Sequence, residues 1–387
     1  MELKIATRLT KLPPYLFLEI DRLKRKARTA GRDIIDLGIG DPDQPPPEFI
    51  LTALKEALSQ PGVHNYALDQ GLPEFRQAIA AWYAQRFRVK LDPDSEILPL
   101  IGSKEGLAHL PLALINPGEL TLVPDPCYPP YKGGTILAGG KPYLMPLLEA
   151  NTFLPDFKKV PRTIAKSARL LYLNYPNNPT AATAEPDFYR QALEFARRNK
   201  IVLVSDLAYS EIAYDGYRPG SLLELEGAKD VSVEFHSLSK TFNLTGWRIG
   251  FACGNAAVIA VLARVKSNID SGIFNAIQKA GTIALTAKNG HLEQMNTLYR
   301  QRRDVLVDGL NSLGWPVAKP RATFYLWSRA PKGYTSIELS QKLLTAADIV
   351  VTPGNGFGRF GEGYIRMALT VSEERLNEAV ERIRRVL

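Results

Sequence analysis

A single lysine lies within the stretch HSLSKTFNLTGWRIG, among side chains that could hold an anion. Ser237 and Ser239 precede Lys240, and Arg248 follows it by eight residues. Apolar runs on both sides predict a buried setting, in which a lone cation is costly unless it is used. Hydroxyl groups and a guanidinium are good phosphate ligands. The stretch therefore indicates a reactive amine beside an anion site.

Polar side chains also follow two other apolar runs. Asn178 comes after LLYLNYP (170–176), and Asp206 follows IVLVS, with Tyr209 three residues later. Ligands of α/β proteins bind outside the carboxyl ends of the strands. We therefore expect these three side chains to surround one crevice together with Lys240.

This set of groups matches the needs of pyridoxal phosphate. A lysine forms the Schiff base with this cofactor, and an acid pairs with its pyridinium nitrogen so that the ring remains an electron sink. Lys240 and Asp206 suit these two roles, and Tyr209 and Asn178 can bond the ring oxygen. Nearby positive groups should lower the pKa of the lysine, as imine chemistry requires. Asp206 alone could equally cap a helix, so the prediction depends on the whole set.

The elements that position these residues alternate between apolar strands and amphipathic helices. Runs such as ILPLIG (97–102) and TLVPDP (121–126) lack polar alternation, as is typical of strands buried on both faces. Alternating strands and helices predict an α/β fold with a doubly wound, largely parallel sheet.

The last hundred residues differ from this pattern. A long charged helix over 291–314 precedes separate short strands, and a final helix is expected to start at a capping box from Thr370 to Glu373. These features predict a smaller α+β domain. We expect an N-terminal arm and part of that small domain in 1–44, a large cofactor-binding domain in 45–285, and the small domain in 286–387.

Composition excludes several classes of protein. The chain has 387 residues, 45% of them hydrophobic and 23% charged, which is ordinary for a globular protein. Its four histidines are scattered without the spacing of metal ligands, so no metal is expected. Two distant cysteines indicate a reducing compartment, and no run has the length of a signal peptide or a membrane span. We expect a cytoplasmic protein.

Two features allow other interpretations. The net charge is +8, and the basic runs RLKRKAR (22–28) and KKVPRTIAKSAR (158–169) could form a nucleic-acid patch. Solvated helix faces are the favoured interpretation, since the apolar residues around the first run have helical spacing. The segment GFGRFG (356–361) matches a dinucleotide-binding motif, but a strand-like run follows it, so a glycine-rich turn is favoured.

The motifs as a set resemble the class I aminotransferases of fold type I. SLSK with Arg248, NNPT (177–180) and DLAY (206–209) occur in that family's order, and the similarity extends from RLTKLPPYLF to RMALT. The resemblance implies a mostly parallel seven-stranded sheet between helices, a smaller α+β domain, and pyridoxal phosphate as cofactor. It also implies that Lys240 acts as general base and acid in the proton transfer.

The resemblance assigns further residues to the cofactor. Asp206 would face the pyridine nitrogen, Tyr209 and Asn178 the ring oxygen, and Tyr128 the ring face. The phosphate would be held by residues from three segments and from a neighbouring subunit, which implies a homodimer with shared sites: Ser103, Ser237, Ser239, Arg248 and the neighbour's Tyr66. Lys104 is a further implied cofactor contact.

Within that superfamily, stretches such as DLGIGDPDQPPP and KSNIDSGIF resemble the LL-diaminopimelate aminotransferases. The implied reaction exchanges an amino group between LL-2,6-diaminopimelate and 2-oxoglutarate, in lysine biosynthesis. Arg366 would bind the α-carboxylate. The other implied substrate contacts are Tyr15, Gly40, Lys104, Tyr128, Asn178 and Asn275, with Asp69 from the partner subunit. An aspartate or broad-specificity aminotransferase remains the alternative, and a β-lyase or a nucleic-acid-binding protein is more distant.

Overall fold

A computed structural model describes residues 3–13, 16–67, 70–287 and 290–387 of the chain. The strands within these ranges are β1 (Ile35–Asp36), β2 (Ile97–Leu100), β3 (Leu120–Asp125), β4 (Lys141–Pro146), β5 (Ala168–Asn174), β6 (Val202–Asp206), β7 (Ser232–Ser237), β8 (Gly250–Gly254), β9 (Tyr325–Arg329), β10 (Ile349–Val350), β11 (Thr352–Pro353) and β12 (Tyr364–Ala368). The helices are α1 (Thr7–Thr10), α2 (Leu16–Thr29), α3 (Glu48–Leu58), α4 (Pro73–Phe87), α5 (Ser103–Leu114), α6 (Pro130–Leu137), α7 (Arg162–Ser167), α8 (Pro186–Asn199), α9 (Leu238–Thr241), α10 (Ala256–Lys266), α11 (Asn275–Thr286), α12 (His291–Ser312), α13 (Ser336–Ala347) and α14 (Glu373–Arg384).

Seven strands form the central sheet, in the order β2-β8-β7-β6-β5-β3-β4. Strand β8 is antiparallel to both of its neighbours, and the remaining pairs are parallel. The predicted mostly parallel sheet is confirmed. Because β5, β6 and β7 are parallel neighbours, their carboxyl ends lie at one edge of the sheet.

Side chains of the central strands pack alternately into the two layers of helices. On β5, Leu171 and Leu173 belong to one apolar cluster, whereas Leu170 and Tyr172 belong to another. Successive side chains of a strand point to opposite faces, so both faces of the sheet need apolar residues. This two-sided burial explains the unbroken apolar runs in the sequence.

A third apolar cluster forms around the C-terminal elements. Strands β11, β12 and β9 make an antiparallel sheet, and β1 pairs in parallel with β10. Residues from near the N-terminus thus join the C-terminal strands, and Leu37 shares their cluster with Ile365 and Leu376. The division of the chain into 1–44, 45–285 and 286–387 stays a prediction.

The glycine-rich segment at 356–361 forms short 3₁₀ turns and leads directly into β12. The interpretation as a turn is therefore confirmed. Among the described helices, none has the length and apolar character needed to cross a membrane. The described residues also contain no group of three or more His, Cys, Asp or Glu side chains that could hold a metal ion.

Candidate active site

A cavity of about 230 Å³ lies at the carboxyl ends of β5, β6 and β7. It is lined by residues from the central sheet and from the C-terminal strands β9 and β12, and most of the predicted site residues are among them. The lining residues are Ile39, Gly40, Ser103, Lys104, Tyr128, Asn174, Asn178, Asp206, Ala208, Tyr209, Ser237, Ser239, Lys240, Thr245, Arg248, Tyr325 and Arg366.

Lys240 enters this cavity from α9, the single helical turn that follows β7. Its Nζ donates a 2.7 Å hydrogen bond to the carbonyl oxygen of Gly40. Burial lowers the pKa of the lysine to about 8; the Asp41 carboxylate opposes this shift, and the charges of Arg248 and Arg366 add to it. The amine is therefore much closer to a neutral, nucleophilic state at physiological pH than an exposed lysine is.

Asp206 is the last residue of β6 and is buried. Tyr131 Oη donates to Asp206 Oδ2 at 2.7 Å, and the amide of Ala208 donates to Oδ1 at 3.2 Å. Burial raises the pKa of the carboxyl to about 6, although both hydrogen bonds act in the opposite direction. A cationic group within the cavity would favour the ionised carboxylate.

One end of the cavity is suited to an anion. Ser103 begins α5, whose first backbone amides point to the cavity end of that helix. The hydroxyl of Ser239 is buried and has no hydrogen-bond partner within the described part of the chain. The guanidinium of Arg248 lies so close to Gly102 that a Cβ there would be 2.3 Å from Arg248 Nη2. A phosphate group would satisfy the serine hydroxyl and the helix amides together.

Arg366 projects from β12 into the same cavity and is almost fully buried. Its Nη1 donates to Asn178 Oδ1 at 2.8 Å, and its Nη2 donates to the Gly38 carbonyl at 2.7 Å. The rings of Tyr325 and Phe357 lie 4.2 and 4.8 Å from its Cζ. These contacts fix the plane of the guanidinium, which is the group that best matches a carboxylate.

Tyr325 links several of these residues. Its hydroxyl lies 3.0 Å from that of Tyr209, and its ring packs on Arg366. A Cβ on Gly40 would lie only 1.9 Å from Tyr325 Oη, so residue 40 must lack a side chain. The glycine is required here by the close contact with the Tyr325 hydroxyl and not by its backbone conformation, because its φ is not positive.

Tyr128 and Lys104 line the mouth of the cavity. The Tyr128 ring is half-buried and makes an edge contact with Tyr131, with ring centroids 5.9 Å apart. Lys104 is exposed beside the start of α5. Both therefore lie where a bound molecule could reach them.

Four predicted residues lie elsewhere or outside the described residues. Tyr66 is 87% exposed on a surface loop. The Asn275 side-chain amide donates to the carbonyl of Asn65, the residue before Tyr66, at 3.3 Å. Neither lines the cavity of its own chain. Tyr15 and Asp69 fall outside the described residues.

Sequence reasoning missed three side chains that support the site: Tyr131, Asn174 and Tyr325. Asn174 ends β5, donates to the Asp206 carbonyl at 2.8 Å, and accepts from the Asn178 amide at 2.8 Å. A signal was available for two of them. Asn174 is a polar residue at the end of an apolar run, and Tyr131 lies only three residues after the predicted ring contact Tyr128.

Comparison with known proteins places this chain in a family. Residues 32–383 match the family model described as aminotransferase class I and II. The chain belongs to the class I and II aminotransferases. This result confirms the resemblance found in the sequence, and with it the fold and the dependence on pyridoxal phosphate.

Individual relatives of this aminotransferase cover nearly all of it. It is 55% identical to an LL-diaminopimelate aminotransferase of Syntrophobacter fumaroxidans, over 98% of both chains. It is 52% identical to the enzyme of the same name from Moorella thermoacetica, over 99% of this chain and 98% of that one. The substrate-bound structure of BacF from Bacillus subtilis superposes with a TM-score of 0.96 at 38% identity, covering 100% of this chain and 98% of the other.

Proposed function

We propose that this aminotransferase exchanges an amino group between LL-2,6-diaminopimelate and 2-oxoglutarate, a step of lysine biosynthesis. The observation that carries the proposal is the 55% identity, over 98% of both chains, to a protein named for that substrate. The cavity is compatible with it, because one buried arginine and several polar groups surround the reactive amine.

The cofactor would be held by the residues that the fold brings to this cavity. Pyridoxal phosphate, when bound, supplies the electron sink for transamination. Asp206 would pair with its ring nitrogen, and Tyr209 and Asn178 would bond its ring oxygen. Its phosphate would be held by Ser103, Ser237, Ser239 and Arg248, Tyr128 would cover its ring, and Lys104 would be a further cofactor contact.

Two residues would act on the amino acid itself. Arg366 would bind the α-carboxylate, since its guanidinium is held by Asn178 and Gly38 and faces the cavity. Lys240 would accept and return the proton that moves during transamination, because its pKa of about 8 lies near working pH.

The site must recognise the far ends of two different substrates. Glutamate ends in a carboxylate, whereas diaminopimelate ends in an ammonium and a carboxylate together. A purely cationic pocket would leave the second ammonium unpaired, which is expensive once water is excluded. We propose that exposed Lys104, together with Tyr15, Asn275 and the partner's Asp69, provides the mixed set of charges, with water bridging the shorter substrate.

We further propose that two copies of the chain form a homodimer with shared sites. Tyr66, at 87% exposure, is a large aromatic side chain directed away from its own protein, and Asn275 lies beside the same loop. Phe274 next to it is 40% exposed. Aromatic side chains on a surface are typical of interfaces, and Tyr66 would reach the cofactor phosphate of the partner.

The proposal is tested by separate half-reactions of the loaded enzyme with LL-diaminopimelate, meso-diaminopimelate, glutamate and aspartate. The yellow colour of the cofactor should bleach fastest with LL-diaminopimelate and glutamate. The meso isomer should react poorly, because its distal head has the mirror arrangement and mispairs with the pocket. Rapid bleaching by aspartate but not by LL-diaminopimelate would instead support an aspartate aminotransferase. A β-lyase would release pyruvate and ammonia from one substrate without needing a keto-acid acceptor.

A further inference from the structure

The glycine-rich turn at residues 354–361 is attached to the carboxyl end of β3. The amide of Phe360 donates to Asp125 Oδ1 at 3.1 Å, and the amide of Cys127 donates to the Phe357 carbonyl at 3.0 Å. A Cβ on Gly358 would lie 2.0 Å from Asp125 Oδ1. The carboxylate therefore fills the space of a missing side chain, and Gly358, at φ 151°, also has a backbone conformation that favours glycine.

Asp125 is fully buried and has a second, ionic partner. Its Oδ2 accepts a 2.8 Å hydrogen bond from Lys132 Nζ on α6. Lys132 thus binds one carboxylate oxygen of Asp125, and the Phe360 amide of the turn binds the other. A buried ion pair that also satisfies a backbone donor holds its groups in a defined arrangement, and loss of either partner leaves an uncompensated charge.

The turn carries Phe357 to the arginine of the active site. Its ring centroid lies 4.8 Å from Arg366 Cζ, and the ring also makes an edge contact with Trp327 at 6.3 Å. A cation close to a desolvated aromatic face is attracted to it. The position of the turn therefore affects the position and the electrostatic setting of the guanidinium.

The segment DPCYPPYK, residues 125–132, therefore supports the cavity through two separate sets of contacts. Tyr131 on this segment donates to Asp206, whereas Asp125 and Lys132 act on the turn that carries Phe357. We propose that Asp125, paired with Lys132, is a positioning residue for the substrate carboxylate: it fixes the 354–361 turn so that Phe357 stays against Arg366. This inference rests on the proposed role of Arg366.

The first test compares Asp125→Ala with Asp125→Asn in the cofactor-loaded enzyme. The alanine variant should raise KM for glutamate about tenfold, the size expected of one cation–π contact in a desolvated site, with kcat within about threefold. The dissociation constant of glutarate, a dicarboxylate without an amino group, should rise in parallel in calorimetry. The asparagine variant keeps an oxygen for the Phe360 amide and should recover most of the affinity. The inference would be overturned if the folded alanine variant lost kcat while its KM for glutamate and its glutarate affinity stayed unchanged.

A second variant makes the test independent of any folding defect caused by losing a buried carboxylate. Gly358→Ala leaves Asp125 intact and pushes the turn away from it, and it should reproduce the rise in glutarate dissociation constant. Gly363→Ala is the matched control, because Gly363 has φ 79° but a Cβ there meets nothing within 4 Å. The control should retain glutarate affinity. Equal effects of the two alanines, or none from Gly358→Ala, would contradict the role of Asp125.

Amide hydrogen exchange gives a readout that does not depend on turnover. Peptides covering 357–361 should exchange faster in Asp125→Ala and Gly358→Ala than in wild type, because the Phe360 amide loses its acceptor. Unchanged protection would overturn the inference. Arg366→Lys separates the two proposals. If it leaves glutarate binding unchanged, the proposed role of Arg366 fails. If it weakens binding while the Asp125 and Gly358 variants do not, only the present inference fails.

Discussion

The hydroxyl of Tyr131 holds the Asp206 carboxyl through a 2.7 Å hydrogen bond behind the cavity. Burial raises the pKa of Tyr131 well above its ordinary value, so its hydroxyl remains a proton donor. The Tyr131 ring is itself fixed by stacking on Tyr172, with centroids 4.8 Å apart. Because the Ala208 amide also donates to the other carboxyl oxygen, the Asp206 carboxyl is held in one orientation. A fixed acid at a strand end is what a cofactor ring nitrogen requires.

Asp206 should make the stability of the cofactor-free protein depend on pH. Its pKa is about 6 in the folded protein and near 3.8 in the unfolded chain, so the folded state binds the extra proton between these values. Stability from this group is therefore present below about pH 4 and lost as the pH rises to about 6. Asp206→Asn cannot ionise, and at pH 7 it should be more stable than wild type by about 3 kcal/mol.

The measurement is the difference in free energy of unfolding between the two cofactor-free proteins from pH 4 to pH 8. Taking the difference removes the contribution of Glu234, whose pKa burial also raises, to about 7. The difference should grow up to about pH 6 and then level off. A difference independent of pH would show that Asp206 ionises normally. With pyridoxal phosphate bound the order should reverse, because a cationic ring favours the carboxylate.

Lys240 should titrate near pH 8 in the cofactor-free protein. Only the neutral amine is a nucleophile, so the rate of pyridoxal phosphate uptake should rise with pH and level off above about 8. Asp41 favours the charged amine, and Asp41→Asn should therefore shift the midpoint of this profile to lower pH. Asp187→Asn, on an exposed surface pair with Arg190, is the control and should leave the midpoint unchanged. A midpoint above pH 10 in wild type would contradict the effect of burial.

Local patterns were sufficient to predict the central sheet and the groups at its edge. The strands that end at Asn174 and Asp206 contain the unbroken apolar runs LLYL and VLV, from which buried parallel strands with a common edge could be predicted. Strand β7 also buries Glu234 and His236, which the apolar pattern did not predict. The last helix shows where such patterns fail. It begins at Glu373 and is capped by Ser372, which accepts from the Arg375 amide, whereas the sequence suggested a capping box from Thr370. The Thr370 hydroxyl instead donates to the Ile39 carbonyl, a tertiary contact that no local pattern contains.

The supporting residues of the site were harder to predict for the same reason. Tyr325 reaches Tyr209 and Arg366 only because β9 pairs with β12 and packs against the segment that follows β6. These residues are over a hundred positions from Tyr209 in sequence, and their spacing carries no signal. Asp125 is a further example, since its partner amide at Phe360 lies 235 residues away. Chemistry at strand ends can be predicted from sequence, whereas packing between distant segments requires the structure.

Gly40 should tolerate no side chain, because a Cβ would lie 1.9 Å from Tyr325 Oη. Gly40→Ala should therefore displace the Tyr325 ring from Arg366 and lower the free energy of unfolding by about 1–3 kcal/mol, the usual cost of overpacking. KM for amino acids should rise about tenfold, since the ring that packs on the guanidinium moves. Steady-state kinetics and chemical denaturation measure both effects.

Gly133→Ala is the matched control for that substitution. Gly133 lies within α6, and a Cβ there would meet nothing within 4 Å. Replacing a helical glycine by alanine should stabilise the protein by about 0.5–1 kcal/mol and leave KM unchanged. If Gly40→Ala behaved like this control, Tyr325 would not be fixed by close approach to residue 40.

If the proposed homodimer forms, mixed dimers should show whether Tyr66 acts across the interface between the two subunits. Lys240→Ala should be inactive and should lose the yellow absorbance of the loaded enzyme, because no amine holds the cofactor. Tyr66→Ala should bind the cofactor phosphate weakly. If Tyr66 serves the partner, a hybrid of the two variants contains one site with wild-type Lys240 and wild-type Tyr66. Refolding the two variants together at equal concentrations should then restore about a quarter of wild-type activity, since half of the dimers are hybrid and each has one intact site. If Tyr66 serves its own chain, every site in the mixture lacks one residue and activity stays at the level of the separate variants.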